Sequence, residues 1–129
     1  MRSNSIDIKT TIRGQVPRIP FEDMARAVLG AQYELSVVVC GDKLARRMNK
    51  EYRGKTYYPN VLSFPLEKNE GEIFLNMRKA AREARIMKTS LVKRVSLLYV
   101  HGLFHLKGLD HSDHMEAQEQ KILRRFKLA

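Results

Sequence analysis

The residues with most chemistry to offer stand close together, in His101-Gly102-Leu103-Phe104-His105-Leu106-Lys107-Gly108-Leu109-Asp110-His111. Imidazole binds a metal ion through a neutral ring nitrogen, and histidines at i and i+4 of a helix project from one face about one turn apart. His101 and His105 have that spacing, so one small cation is within reach of both. Gly108 follows three residues later, where a helix can stop by taking a positive φ that glycine adopts without strain. The turn would swing His111 in as a third ligand. Three neutral imidazoles suit zinc, at about 2.0–2.1 Å each, and leave the fourth tetrahedral position to water. Three of the chain's four histidines fall in this one stretch, which scattered surface or core histidines do not readily explain.

The same spacing occurs in the metzincin pattern H-E-x-x-H-x-x-G-x-x-H, whose Glu is a protease general base. Gly102 stands at that Glu's position here, so a peptidase would lack its usual proton acceptor. Three neutral ligands also leave the metal's double charge uncompensated, which favours an anionic substrate and acidifies bound water. A phosphodiester fits that field.

The composition agrees. The 129 residues include 24 Lys+Arg against 14 Asp+Glu, a net charge of +10. Arg78, Lys79, Arg82, Arg85, Lys88, Lys93 and Arg94 form one basic cluster; Lys43, Arg46, Arg47, Lys50, Arg53 and Lys55 form another. Basic faces of this kind attract polyanions and are the usual footprint of nucleic-acid binding. No apolar run is long enough for a membrane span, the first residues form no secretory apolar region, and a single Cys40 suits a reducing cytosol. A cytoplasmic protein of one domain, residues 1–129, is expected.

The elements that must position the histidines can be read from periodicity. Ser5–Ile12 alternates as a strand and Pro20–Ala31 repeats as an amphipathic helix. Leu35–Cys40 is a continuously apolar, buried strand, and Asp42–Tyr52 a helix turning Leu44, Met48 and Tyr52 to the core. Gly54–Asn60 is a loop; Val61–Phe64 and Glu72–Leu75 are short strands about a polar turn, Glu67–Gly71. Helices follow over Met77–Met87, Ser90–Leu106 and Asp113–Phe126, the last with Asp113 and Glu116 spaced as a capping box. Mixed strands and helices, with the helices gathered late, make the fold α+β.

The motif His101 to His111 resembles H-G-x-x-H-x-x-G-x-D-H of the YbeY family of bacterial endoribonucleases, the rRNA maturation factors, including Gly102 and Asp110. A second family segment matches at Asn49-Lys50-Glu51-Tyr52-Arg53-Gly54-Lys55 and Asn60-Val61-Leu62-Ser63-Phe64-Pro65. The resemblance implies a single compact domain with a small mixed sheet, helices packed on it, and a metalloprotease-like zinc-binding helix near the C-terminus. It implies one zinc ion at His101, His105 and His111, and single-strand-specific cleavage of RNA. It also implies a role in 16S rRNA processing and ribosome quality control, with the small ribosomal subunit as partner. The family's functional arginine falls on Arg53, whose permanent charge and bidentate fork suit it to a phosphorane. The chain departs from the family in a short Phe64–Ile73 loop and in Glu72, where an Asp is common.

Other residues carry smaller expectations. Asp110 is a candidate to orient a ligand imidazole, or a turn residue. Lys55, Tyr57 and Arg94 are candidate RNA contacts, Tyr57 and Tyr58 by stacking on unpaired bases or else by anchoring their loop. His114 reads as surface, Cys40 as inert core, and Ser63 lacks the base that a serine nucleophile needs. A non-catalytic rRNA-binding assembly factor with a zinc site is the alternative function, and a metallopeptidase a weaker one.

Overall fold

Parallel strands need a crossover, and the chain supplies one early. A computed structural model describes residues 5–109 and 113–129. Strand β1 (Ser5–Thr10) leads through helix α1 (Phe21–Leu29) to β2 (Glu34–Cys40), which pairs with β1 in parallel. Helix α2 (Asp42–Arg53) follows, then the hairpin of β3 (Val61–Glu67) and β4 (Glu70–Asn76). Strand β4 joins β2 in parallel, while β3 pairs with β4 antiparallel, giving the order β1-β2-β4-β3. Helices α3 (Met77–Met87), α4 (Leu91–Lys107) and α5 (Asp113–Arg125) complete the α+β fold, whose four-stranded sheet is mixed.

Alternation in the strands assigns the two faces. Leu35, Val37, Val39, Ile73 and Leu75 turn to the main core, with Met24 and Val28 of α1, Tyr99, Val100 and Leu103 of α4, and Met115 and Leu123 of α5. Val38, Cys40, Leu62 and Phe74 turn the other way, where α2 covers them with Leu44, Ala45 and Met48. Cys40 is fully buried, and its thiol is pushed up to about 11, by burial first and then by the Asp42 carboxylate, which keeps it an unreactive thiol.

Tyr52 corrects an expectation. It is 65% exposed, because the last turn of α2 overhangs the edge strand, and its ring meets Phe64 from outside at 5.5 Å. Asn49 lies fully buried one turn earlier. The hairpin is also tighter than its composition suggests: the strands run to Glu67 and from Glu70, so only Lys68 and Asn69 form the turn. Pro65 fits because β3 is an edge strand, where a missing N–H is tolerated.

Helix α4 carries the histidines, and both its ends are secured. The Ser90 hydroxyl accepts from the Lys93 N–H at 3.1 Å. Gly108 takes φ 102°, its N–H reaches His105 O at 3.0 Å, and the Leu109 N–H reaches Phe104 O at 3.0 Å, a Schellman closure. Along its length α4 packs on α1, α3, α5, β3 and β4. Among the described residues no helix is long and apolar enough to cross a membrane.

Candidate active site

Why a glycine follows His101 is a matter of distance. A Cβ at Gly102 would lie 2.9 Å from Ser63 Oγ, 3.2 Å from Ile73 Cδ1 and 3.4 Å from Val61 Cγ2. The helix therefore presses its backbone onto β3 and β4, and the Ser63 hydroxyl donates to Gly102 O at 3.1 Å. This contact sets His101 and His105 beside the outer strand and gives Ser63 a structural hydrogen bond. The glycine that replaces a protease's Glu is thus required by packing: a longer side chain there would displace the sheet.

The two imidazoles converge. His101 Nε2 and His105 Nε2 are 3.1 Å apart, with the rings edge to face at 4.5 Å between centroids. Two nitrogens at tetrahedral angles on one zinc, each about 2.0–2.1 Å away, would be about 3.3 Å apart. The pair fits that requirement. Behind His101, the Glu119 carboxylate meets Nδ1 at 2.5 Å, with the Glu119 side chain only 7% exposed. A carboxylate there holds the proton on Nδ1 and leaves the Nε2 lone pair facing outward, the usual arrangement behind a ligating imidazole. Among the described residues no three His, Cys, Asp or Glu side chains form a complete metal set. The expected third ligand, His111, and the candidate orienting residue Asp110 lie outside the described residues.

Across the cavity stands Arg53. Its Nη1 donates to Asn49 Oδ1 and to the Tyr57 hydroxyl, each at 3.0 Å. Asn49 in turn donates from Nδ2 to Tyr57 O at 3.1 Å, so one buried amide ties the arginine to the loop that follows α2. That loop starts from Gly54 at φ 67°, which closes α2 by returning its N–H to Lys50 O. Arg53, Tyr57, Asn60, Val61, Leu62, Ser63, His101 and His105 line a single cavity of about 540 Å³.

Other candidates lie elsewhere. Lys55 is exposed and does not line the cavity. Arg94 is turned away from solvent: its Nε and Nη2 bind Glu83 Oε1 at 2.9 and 2.8 Å. Glu83 also accepts from Asn60 Nδ2 at 3.2 and 3.3 Å, so Arg94 supports the cavity wall at second hand. Tyr58 packs under Arg46, whose guanidinium carbon is 5.3 Å from the ring centre. His114 is exposed.

Sequence reasoning missed Glu119 and Asn49. Each left a signal. Glu119 falls between Met115 and Leu123 at i+4 spacing, a charge on the apolar stripe of the last helix. Asn49 interrupts the core-facing side of α2 in the same way. A polar group on a buried stripe must find a partner, and here each partner is a candidate site residue.

Comparison with known proteins agrees with this arrangement. The family model described as Endoribonuclease YbeY matches residues 2–127. A relative of that name from Methylobacillus flagellatus is 36% identical over 109 residues, covering 82% of this chain and 73% of the relative. Another from Alkaliphilus metalliredigens is 30% identical over 131 residues, covering 93% and 84%. The solution structure of TM1509 from Thermotoga maritima superposes with a TM-score of 0.68 at 21% identity, over 94% of this chain and 88% of that one, and shares the fold. With residues 2–127 matched and described residues of both motifs lining one cavity, the chain belongs to the YbeY endoribonuclease family.

Proposed function

We propose that this protein is a zinc-dependent endoribonuclease of the cytoplasm that cuts single-stranded RNA. Its target is 16S rRNA on the small ribosomal subunit, during processing and quality control. The observation that supports this most is the meeting of the His101–His105 nitrogen pair and Arg53 in one cavity on a strongly basic protein. His101, His105 and His111 would hold the zinc, which supplies Lewis-acid polarisation of a phosphoryl oxygen and a water of lowered pKa.

The chain's own residues do the rest. Glu119 keeps the His101 proton on Nδ1, so Nε2 stays available at the cavity wall. Arg53 is held by Asn49 and Tyr57 through one nitrogen, Nη1, which leaves the rest of its fork to meet phosphate oxygens and neutralise charge as it develops. The Tyr57 ring, 51% exposed at the cavity, offers a face on which an unpaired base can stack. A duplex would keep its bases from that face, which accounts for a preference for single strands.

The test is cleavage of an end-labelled unstructured RNA by protein from a ribonuclease-deficient host. Cleavage is expected to stop with chelator, to return with zinc, and to be absent in His105→Ala. Arg53→Gln is expected to lower kcat/KM by about 10²-fold or more, as loss of one charge-stabilising group does. RNA bound but left intact by the wild type would refute catalysis and favour an rRNA-binding assembly factor. Product ends identify the nucleophile, since attack by the 2′-hydroxyl first leaves a cyclic phosphate.

A further inference from the structure

Helix α2 carries more positive charge on one side than its structural role explains. At 100° per residue, Arg53, Arg46, Lys50, Lys43 and Arg47 fall within about 120° of its circumference, and all five are exposed. The buried positions Ala45 and Asn49 lie on the other side, against the sheet. Like charges at i+3 and i+4 destabilise a helix, and here they recur as Lys43 with Arg46 and Arg47, and Lys50 with Arg46, Arg47 and Arg53. Among the described residues none of Lys43, Arg47 and Lys50 is in an ion pair.

The stripe connects two concave places. Its C-terminal end, Arg53, lines the candidate active-site cavity. Its N-terminal end, Lys43 and Arg47, lines a second groove of about 450 Å³ with Arg78 of α3, Thr11, Ile12 and Gly41. Asp42 also borders that groove, but its carboxylate is already gripped by the Arg82 fork at 2.8 and 2.9 Å and by Asn76 Nδ2 at 2.9 Å. The Arg82 hydrogen bond holds the Asp42 carboxyl below its usual range, so it stays paired and the three neighbouring cations keep their excess. Arg78, like Lys43 and Arg47, has no carboxylate partner among the described residues.

We propose that the exposed face of α2 is a track for single-stranded RNA. It runs from the cavity at Arg53, past Lys50 and Arg46, to a phosphate seat formed by Lys43, Arg47 and Arg78. Lys43 and Arg53 are ten residues apart on the helix, about 15 Å of rise, which matches about four nucleotides at the roughly 3.4 Å spacing of a stacked strand. The contacts are to phosphates, so the track adds affinity and direction without reading sequence. Neutralising the stripe also relieves its internal repulsion, a gain a neutral ligand cannot supply. This rests on the ribonuclease reading for the identity of the ligand, and its test does not depend on cleavage.

2′-O-methyl oligouridylates, a dinucleotide and a dodecanucleotide, which cannot be cut by attack of their own 2′-hydroxyl, are titrated by fluorescence anisotropy between about 50 and 200 mM salt and shown intact by gel after each titration. The wild type is compared with Lys43→Gln/Arg47→Gln/Arg78→Gln, all exposed positions, and with Arg47→Lys/Arg78→Lys, which keeps the charge. The wild type is expected to bind the longer probe at least about tenfold more tightly, and the Gln variant to lose that gain. Three lost phosphate contacts should make the salt slope shallower by about 2, at roughly 0.7 per contact on a single strand, while the Lys variant keeps the wild-type slope. An unchanged slope and length gain in the Gln variant would overturn the track. Equal, triple-variant-sensitive binding of polyglutamate would overturn its assignment to RNA. Failure of the wild type to cleave RNA would instead strike the enzymatic reading alone, since binding is read on intact probes.

Discussion

Replacing Glu119 separates the metal site from the fold. The carboxylate is nearly buried, sits 2.5 Å from His101 Nδ1, and belongs to an otherwise apolar stripe with Met115 and Leu123. Glu119→Met fills similar volume without an acceptor. Without metal, the loss is a hydrogen bond, about 1–2 kcal/mol, offset in part by the apolar replacement. With metal, loss of such a partner typically weakens binding by about 10–100-fold, or about 1.4–2.7 kcal/mol. At saturating zinc a hundredfold weaker Kd removes about 2.7 kcal/mol of metal-linked stability. In a domain of this size that corresponds to roughly 10 °C in Tm. The assay is thermal unfolding of wild type, Glu119→Met and Glu119→Gln, each with chelator and with zinc. The zinc-induced rise should be largest in the wild type, smaller in Glu119→Gln, which retains a neutral acceptor, and smallest in Glu119→Met. Equal zinc-induced rises in all three would refute the assignment of Glu119 as the partner that orients a ligand. No rise in the wild type would refute the metal site itself.

Gly102→Ala should cost about 1–3 kcal/mol by overpacking, because its Cβ would meet Ser63 Oγ and Ile73 Cδ1 at 2.9 and 3.2 Å; denaturant unfolding measures this. Tyr99→Phe should lose about 1–2 kcal/mol, since its buried hydroxyl donates to Phe21 O at 2.7 Å. Burial holds the Tyr99 phenol above its ordinary range, so its absorbance should not titrate with that of the exposed tyrosines. Asp42→Asn should lower stability at neutral pH. The folded Asp42 pKa lies below the unfolded value, so its contribution is present above about pH 3.9 and fades as pH falls through the lowered folded value; the wild-type and variant stability curves should therefore converge in acid.

Much of the fold was legible because its determinants are local. The continuous apolar run of Leu35–Cys40 marks a buried strand, the repeat of Met77–Met87 marks a helix, and both stand where the pattern puts them. Boundaries were less clear at the hairpin, where the ladder hydrogen bonds, which composition does not report, carry β3 and β4 through polar residues to Glu67 and Glu70. Tyr52 shows the same limit: helical spacing puts it on the sheet side of α2, but the sheet ends beneath it.

The site divides in the same way. The amino-acid order alone determined that His101 and His105 share a helix face and that Gly108 ends the helix, because a 3.6-residue repeat and a positive φ are properties of neighbours. It also carried both family motifs and the excess of charge. Only the tertiary structure decided that Glu119, eighteen residues on, stands behind His101, and that Asn49 and Tyr57 hold Arg53. Only it decided that Arg94 is spent on Glu83 instead of facing a substrate, and that Gly102 lets α4 rest against Ser63. These are contacts between elements, set by which faces the core brings together and by which buried polar groups must then be paired. No local period in the chain encodes them.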